Sequence, residues 1–454
     1  MSDRKLIAGS FIFLLLVILI GSIIIVREKG YLSREEEPTF ISYVGLWDPE
    51  IINPLKIEYQ KQNPDITIEY EQKKPELYFE TLKNLLATEN PPDIFWWHSG
   101  WGPMLNNDLS AIPESVISIQ DYEKTYFPVT KADAKIGGTY RGVPLEIDGL
   151  ALIYNKGLLS SKGFKNPPKT WADLQRTYIP ALNKFDKKKG ILQSTIALGT
   201  ENNISNFSEI LGLLFLQNGV TFIENGEMKI HDSVALNNDN LGQKTLDFYT
   251  SFTKKTKDWD STLPNSIRAF AQGKVAMIIL PSHKIPSLQS QIKATGSKVK
   301  FGVSSVPQPP NVEPVTWGSY WLSGVSVKSS KQGEAWKFIK FLSEPESLKK
   351  IFEKESKIRK IGRVYPRKDM SKELRKNALL APYQSQAQFA KSWYLHSDTF
   401  DGALNDEMIE KLRELVSRMA QGKGSAKSNL NSFAPEAKEV LSKYGVFSPE
   451  IIER

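Results

Sequence analysis

The stretch PDIFWWHSGW, at positions 92–101, concentrates side chains that could bind a flat ligand. It holds Trp96, Trp97, His98 and Trp101, in a chain that has only 10 tryptophans and 4 histidines. Aromatic rings stack on the C–H faces of a sugar ring, and ring nitrogens bond its hydroxyls. In a strand, Trp96 and Trp97 point to opposite faces, so we expect at least one of them to pack inward. We predict that these four residues contribute to a ligand-binding site.

Two further segments carry suitable side chains. Glu146 and Asp148 lie two positions apart in LEIDGL, on one face of an extended strand. Ionised carboxylates accept strong hydrogen bonds from hydroxyl groups. The segment PVTWGSYWLSG places Trp317, Tyr320 and Trp321 around a glycine that permits a close turn. We predict ligand contacts from all five residues; a core role is the alternative for the aromatic ones, and a hinge role for the acidic pair.

Catalytic patterns are absent from the sequence. It contains no GxxxxGK[ST] phosphate loop, no HExxH zinc pattern and no GxGxxG dinucleotide turn. Glu146 and Asp148 have the spacing of a glycosidase pair but lie on one side of any ligand between them. The histidines are far apart, at His98, His231, His283 and His396, and cysteine is lacking. We therefore predict a protein that is not an enzyme and has neither a metal nor a cofactor.

Length and composition indicate a globular protein of moderate size. The chain has 454 residues, of which 40% are hydrophobic, and about 150 residues per domain predicts two or three folded units. The net charge of +8 comes from lysines and arginines spread along the chain, without a basic tail. We read this charge as favouring solubility and predict no nucleic-acid partner. We also expect a monomer.

The N-terminal region predicts a membrane anchor. Residues 6–26, LIAGSFIFLLLVILIGSIIIV, form an uncharged run that would span roughly 31 Å as a helix, enough to cross a bilayer once. A short tail, 1–5, precedes it and a charged tether, 27–37, follows. The run is longer than a typical signal core and no small-residue cleavage site follows, which favours an uncleaved signal anchor, although cleavage stays open. Positive charges on both flanks do not decide the orientation.

The first part of the globular region alternates strand and helix patterns. TFISYVGLW, DITIEYE and PPDIFWW read as strands, separated by two segments with helical spacing of their apolar residues. This alternation predicts an α/β unit with a largely parallel sheet. In such sheets ligands bind beyond the carboxyl ends of the strands, where both Trp47 and the Trp96–Trp101 stretch fall. Trp47 is therefore added to the predicted site.

Several longer segments, in their order and spacing, resemble the bacterial extracellular solute-binding proteins of family 1, the maltose and maltodextrin-binding type. They are YRGVPLEIDGLALIYNKGLL, NPPKTWADL, AFAQGKVAMIILP, VKFGVSSVPQP and EAWKFIKFLSEPESLKKI. The resemblance implies a two-lobed periplasmic-binding-protein-like fold of type II, with the ligand held between hinged lobes. It implies an N-terminal lobe of 38–147 and 307–352, and a C-terminal lobe of 148–306 and 353–454.

The resemblance also suggests roles for individual residues. Trp96 and His98 match cleft residues of the family, whereas Ser99 stands where an aspartate is common and lacks the charged acceptor of that carboxylate. Asp148 matches an acidic cleft residue, and His283 falls where a cleft aromatic is frequent. We expect Arg363 to reach the cleft from the second lobe.

Other tryptophans are expected to be structural. Trp171 follows Thr170, which has the spacing of a helix cap with Asp173, and is expected to anchor a helix start. Trp259, Trp336 and Trp393 are assigned to the framework.

The leading hypothesis is a membrane-anchored, extracytoplasmic protein that captures a sugar or oligosaccharide by lobe closure and delivers it to the permease subunits of an ABC importer. One alternative keeps the fold but binds a polyamine, with Asp148 and Glu146 pairing to ammonium groups and tryptophans supplying cation–π contacts. Another is an anchored sensor or scaffold that binds ligand without transport.

Overall fold

The computed structural model describes residues 38–235 and 237–452. The expected tail at 1–5, anchor at 6–26 and tether at 27–37 lie outside the described residues. Within the two described ranges, none of the helices combines the length and the apolar character that a bilayer crossing requires.

The described residues form strands and helices in alternation. The strands are β1 (Thr39–Gly45), β2 (Ile66–Gln72), β3 (Ile94–His98), β4 (Lys135–Ile136), β5 (Thr139–Tyr140), β6 (Val143–Pro144), β7 (Asp148–Asn155), β8 (Lys184–Asp186), β9 (Gly190–Ile196), β10 (Ile223–Glu224), β11 (Glu227–Met228), β12 (Val275–Pro281), β13 (Phe301–Ser304), β14 (Thr316–Ser319), β15 (Trp321–Val325) and β16 (Ala390–Lys391). The α-helices are α1 (Pro49–Gln62), α2 (Tyr78–Leu86), α3 (Gly102–Leu105), α4 (Ile119–Thr125), α5 (Pro128–Ala134), α6 (Lys156–Ser160), α7 (Trp171–Asp173), α8 (Ile179–Leu182), α9 (Phe207–Gln217), α10 (Leu241–Lys254), α11 (Ser266–Ala271), α12 (Ile285–Ala294), α13 (Gln332–Ser343), α14 (Pro345–Arg359), α15 (Ala381–Gln386), α16 (Leu404–Ala420), α17 (Ala426–Lys443) and α18 (Pro449–Ile452).

The first sheet has the strand order β2-β1-β3-β15-β6. β1 runs parallel to β2 and β3, and α1 and α2 connect these strands in turn. Parallel neighbours need such crossover connections, so the predicted strand and helix alternation is confirmed here. β15 comes from much later in the chain and pairs antiparallel with β3, with Trp321 opposite His98. This pairing brings two aromatic segments that are far apart in sequence to the same edge of the sheet.

The second sheet has the order β16-β14-β7-β12-β9-β8, and β13 also pairs with β7. β7 is antiparallel to β12, β13 and β14, whereas β12 and β9 are parallel. Every residue of β12 is buried, which explains its continuous apolar sequence, VAMIILP. The sheet is therefore mixed, with β7 and β12 near its centre.

Two hydrophobic clusters surround the two sheets and give the fold its two lobes. The first cluster gathers buried residues mainly from 41–147 and 320–390, and the second mainly from 150–317 and 394–446. Residues 361–390, expected in the C-terminal lobe, contribute Ile361, Val364 and Tyr383 to the first cluster. The packing thus forms two separate cores. The exact residues at which one lobe ends and the other begins stay a prediction.

The start of β7 lies where the chain passes from one core to the other. Ile147 forms a bridge with Val364, and Gly149 pairs with Gly318 of β14. A Cβ atom at Gly149 would come within 2.3 Å of the carbonyl oxygen of Trp317. Only glycine permits this close backbone approach. Asp148 lies between Ile147 of the first cluster and Leu150 of the second, and therefore where the two cores meet.

Candidate functional site

Five of the sequence-predicted residues meet at the edge of the first sheet and are called the aromatic cluster here: Trp47, Trp96, His98, Trp101 and Trp321. Trp47 contacts Trp96 in a T-shaped arrangement, with ring centroids 4.7 Å apart. Trp321 contacts Trp101 at 5.0 Å and His98 at 5.1 Å. The rings of the cluster therefore cover one another's faces in the edge-to-face geometry that aromatic pairs prefer.

Most of the aromatic cluster is buried. Trp96 is 1% exposed, and its Nε1 donates to the hydroxyl of Tyr43 over 2.5 Å. Trp101 is fully buried and donates to Asp401 over 3.2 Å, whereas Trp321 is half-buried. In this conformation Trp321 is the member of the cluster with the most accessible ring.

The other predicted aromatic residues lie in the two cores. Trp97 is fully buried, and its ring would be 2.7 Å from a Cβ atom at Gly142. Trp317 packs closely against Gly212 of α9 in the second core. Tyr320 is buried and donates its hydroxyl to Oδ2 of Asp133 over 2.8 Å. Trp97 and Trp317 thus occupy space that only glycine neighbours leave open.

A cavity of about 780 Å³ lies between the two cores and is called the cleft cavity here. Val129 and Ala390 of the first cluster and Phe222 and Tyr394 of the second belong to its wall. The volume falls within the range of about 300–1,000 Å³ that small-molecule sites occupy. Its polar lining includes Ser99, Asp133, Asn225, Glu313, Lys391, Ser392 and His396.

A flat platform forms one side of the cleft cavity. Trp393 is half-buried and stacks on Phe222, with ring centroids 4.0 Å apart and planes at 9°. Beside it, the β10–β11 hairpin turns at Asn225 and Gly226, which both have positive φ. Trp393, for which a framework role is expected from sequence, packs against the second cluster and also forms part of the cavity wall.

Asp133 connects separate segments at the cavity wall. Its Oδ1 accepts from the hydroxyl of Ser392 over 2.5 Å, and its Oδ2 accepts from Tyr320. Sequence reasoning did not single out Asp133 or Ser392, since neither lies in a recognisable pattern. The run KSWYLH, with its polar and aromatic mixture, is the signal that could have identified Ser392 and Trp393.

The aromatic cluster lies directly behind the wall of the cleft cavity. His98 contacts His396 with ring centroids 4.7 Å apart, and His396 lines the cavity. Nδ1 of His98 accepts from the amide of Gly100, and Nε2 lies 3.2 Å from the hydroxyl of Ser319. Burial first, and the nearby His396 second, lower the pKa of His98 well below its ordinary value. His98 is therefore neutral and supports the wall.

Some buried polar atoms at this wall have no partner within the described ranges. They are the hydroxyl of Ser99 and both ring nitrogens of His396. Burial lowers the pKa of His396 to about 3, so the ring is neutral, with one donor and one acceptor. Buried polar groups are normally hydrogen-bonded, so this wall is suited to a ligand that both donates and accepts.

Asp148 and His283 lie together near the start of β7. Asp148 accepts from the backbone amides of Ser282 and His283 at 2.9 and 3.0 Å. Burial would raise the pKa of Asp148, but the hydrogen bonds, first from His283, lower it overall. Asp148 and His283 are each partly exposed to solvent. Asp148 is therefore ionised and fixed in place by its neighbours.

Glu146 and Arg363 form a separate ion pair near the chain crossing. Arg363 donates to Oε1 of Glu146, and its Nε lies 3.2 Å from Glu355. Burial, which outweighs the attraction of Arg363, raises the pKa of Glu146 to about 7. Since Glu146 and Asp148 each pair with a neighbouring cationic or imidazole group, they are poorly placed to hold the ammonium groups of a polyamine.

The described residues include no group of three or more His, Cys, Asp or Glu side chains arranged to hold a metal ion. The cleft cavity is lined by aromatic rings, hydroxyls and the neutral imidazole of His396, together with the charged side chains of Asp133, Glu313 and Lys391. Such groups bind a ligand through stacking and hydrogen bonds.

Comparison with known proteins identifies the family of this chain. The model of the bacterial extracellular solute-binding protein family matches residues 55–382, well over half of the chain. A maltodextrin-binding protein of Bacillus subtilis is 25% identical over 297 residues, which cover 63% of this chain and 65% of that protein. A maltotriose-binding protein of Pyrococcus abyssi is 24% identical over 315 residues, covering 66% of this chain and 61% of the relative. The chain thus matches less than two thirds of the length of either relative.

The fold itself is found in solved structures. A cyclo/maltodextrin-binding protein complexed with maltotetraose superposes with a TM-score of 0.71 and 17% identity, over 90% of this chain and 99% of that one. The family and these relatives are named as binding proteins and not as enzymes, which agrees with the lack of catalytic patterns in the sequence. The two-lobed α/β fold expected from the sequence is confirmed. The chain belongs to the bacterial extracellular solute-binding protein family.

Proposed function

We propose that this chain captures a sugar or oligosaccharide in the cleft cavity. The observation that carries the proposal is the pair of unpartnered side chains, Ser99 and His396, buried at the cavity wall. Leaving such groups unbonded costs about 1–3 kcal/mol each. Sugar hydroxyls donate and accept at once, so they would satisfy both side chains once a movement of the wall on lobe closure uncovers these buried atoms.

The platform of Trp393 adds the second element of sugar recognition. Its ring, held by Phe222, offers a flat apolar surface beside the carboxylate of Asp133. A pyranose stacked on this ring presents its hydroxyls to the polar rim. The relatives named for maltodextrin and maltotriose support the same ligand class.

The sequence-predicted residues divide by exposure within this proposal. Trp321, Asp148, His283 and Arg363 keep partial exposure but do not line the cleft cavity, and they are proposed to report lobe closure. The buried residues are proposed to shape the walls that ligand touches. They are Trp47, Trp96, Trp97, His98, Trp101, Glu146, Trp317 and Tyr320.

The wider biological role is also a proposal. The two lobes would close on the ligand. The N-terminal lobe would comprise 38–147 and 307–352, and the C-terminal lobe 148–306 and 353–454. The chain would be held at the outer face of the cell membrane by residues 6–26 and would deliver its ligand, as a monomer, to an ABC importer. Family membership supports delivery, and the long apolar run supports the anchor.

Calorimetric titration of the full chain in detergent tests the ligand class. We expect maltotriose or maltotetraose to bind and spermidine not to bind. Ser99→Ala should weaken sugar binding roughly fivefold, the equivalent of one lost hydrogen bond. Ser208→Ala is the matched control, because Ser208 also has a buried, unpartnered hydroxyl but does not line the cavity. Equal effects of the two variants, or binding of spermidine alone, would contradict the proposal.

Transport and anchoring need separate measurements. Cells that lack the chain should lose uptake of the ligand identified by titration, and the full chain should restore it. Unchanged uptake would instead favour a sensor or scaffold. The full chain should fractionate with membranes, and a chain without residues 1–37 should not.

A further inference from the structure

A second cavity, of about 940 Å³, adjoins the cleft cavity and is called the side groove here. Pro128 and Gln388 belong to the walls of both cavities, so the two spaces lie on either side of these residues. The rest of the groove wall comes from 303–305, at the end of β13, and from 368–388. A ligand longer than the cleft cavity would enter the side groove by passing over Pro128 and Gln388.

The side groove is cationic. Its wall contains Lys368 and Arg375 and no aspartate or glutamate. Arg375 is exposed, and it takes part in none of the ion pairs among the described residues. Lys368 donates to the backbone carbonyl of Glu123 over 2.7 Å, which leaves its charge uncompensated. The carboxylate of Glu123 is occupied by Lys131, 3.0 Å away. Two positive charges thus face the groove without a nearby counterion in its wall.

The groove also offers a buried acceptor. Gln384 is 3% exposed, and its Nε2 donates to the carbonyl of Tyr365 over 3.4 Å. Its Oε1 has no partner among the residues the structure describes. A ligand hydroxyl would satisfy this oxygen, as buried acceptors normally are, once a rotation of the Gln384 amide turned it into the groove. The groove therefore suits a group that carries both hydroxyls and negative charge.

The cleft cavity has the opposite charge balance, with more acidic than basic side chains in its wall. Asp133 and Glu313 line it together with one cation, Lys391. An anionic group there would meet the two carboxylates. A ligand that fills both spaces would consequently place neutral units in the cleft cavity and an acidic unit beyond Gln388.

We propose that the cleft cavity and the side groove form one extended site for an acidic oligosaccharide, whose carboxylate or sulfate group pairs with Arg375 and Lys368. This inference rests on the proposed saccharide-binding function and names its ligand class. Arginine suits such groups because its planar fork bonds two anionic oxygens at once. The exposure of Arg375 makes the pairing sensitive to salt.

The test compares oligomers of α-1,4-linked galacturonate with oligomers of α-1,4-linked glucose, at equal lengths of two to six units. Calorimetric titration of the full chain in detergent should show about tenfold tighter binding of the acidic series, for oligomers long enough to reach the groove. Arg375→Ala should abolish this preference and leave the affinity for the neutral series unchanged. Lys376→Ala is the control, since Lys376 is an exposed neighbour that does not line the groove.

The outcomes separate this inference from the proposed function. Binding of the neutral series without an acidic preference overturns only the extended site. A preference that survives in Arg375→Ala also overturns it. Failure of both series to bind overturns the saccharide-binding function as well. Binding of sulfate or monomeric galacturonate as tightly as the acidic oligomers would show an independent anion site and overturn the continuity of the two cavities.

Discussion

Nδ1 of His283 lies 3.0 Å from Oδ2 of Asp148, and Nε2 of the same ring lies 3.5 Å from Asp398. One imidazole thus connects the start of β7 with the segment that follows the Trp393 platform. Lys284 adds a second cation, 2.8 Å from Asp398. The arrangement links the chain crossing to the wall of the cleft cavity.

The contacts of His283 with Asp148 and Asp398 should make a pH-dependent contribution to the free energy of unfolding. Burial alone would lower the pKa of His283, but the hydrogen bonds to Asp148 and Asp398 raise it above 6.5. The stabilisation is therefore fully present below pH 6.5 and is lost as the pH rises through the higher folded-state pKa. His283→Asn should lower the free energy of unfolding by about 1 kcal/mol at pH 5.5, after allowance for solvent screening, and by less at pH 8.5. Denaturant unfolding measures both, and an equal loss at the two pH values would contradict the assignment.

Trp393 and Trp336 form a contrasting pair of tryptophans. Trp393→Ala removes the platform of the cleft cavity, so affinity for the bound sugar should fall about tenfold or more, with a small change in stability. Trp336 is fully buried and donates to Ser110 over 3.0 Å. Trp336→Ala should lower the free energy of unfolding by about 3–5 kcal/mol without a selective loss of affinity. Titration and denaturant unfolding distinguish the two roles; the reverse pattern would remove Trp393 from the site.

Ionisation of buried Glu209 should lower the free energy of unfolding above neutral pH. This residue is 3% exposed and accepts from the amide and hydroxyl of Ser397 at 3.0 and 2.8 Å. Burial first, and the charge of Asp398 second, raise its pKa to about 7. The folded chain therefore binds this proton more tightly than the unfolded chain, and stability falls as the pH rises from about 4.5 through 7.

Glu209→Gln should remove the loss of stability that ionisation of the buried carboxyl group causes. We expect the variant to gain on the order of 2–3 kcal/mol in free energy of unfolding at pH 8, and to match the unmodified chain near pH 4.5. The glutamine amide can still bond Ser397, so its packing is retained. Denaturant unfolding across this range measures the gain. A gain that does not vary with pH would show that packing, and not the proton, is responsible.

Gly149 predicts a steric effect at the chain crossing. Gly149→Ala would place a Cβ atom 2.3 Å from the carbonyl oxygen of Trp317 and separate β7 from β14. We expect a loss of about 1–3 kcal/mol or more in free energy of unfolding. Gly333→Ala is the control, because a Cβ atom at Gly333 meets nothing within 4 Å and lies in α13, where alanine is favoured. Thermal unfolding should show a lower midpoint for the first variant and an equal or higher one for the second.

Local features of the fold were predictable from the sequence because they depend on neighbouring residues. The cap is one such case: the hydroxyl of Thr170 accepts from the amide of Asp173 over 3.0 Å. Trp171 is another, since it is buried and bonded to Gln217 as a structural anchor. The strand and helix alternation through β1, β2 and β3 follows from periodicity within each segment.

The roles of the tryptophans were not predictable in the same way. Trp96 and Trp393 are the same residue type in similarly aromatic segments, yet one is covered by Trp47 and Tyr43 and the other faces a cavity. Exposure depends on which distant segment arrives at each ring. The pattern around a tryptophan does not carry that information.

The sequence by itself determined the family and the α/β alternation, because these depend on residue types and local spacing. Only the tertiary structure decided that Ser99, Asp133, Ser392 and His396 share one cavity wall, and that Arg375 and Lys368 face an adjoining groove. The physical reason is that these contacts join residues up to about 300 positions apart, through strand pairing and core packing that no local pattern records.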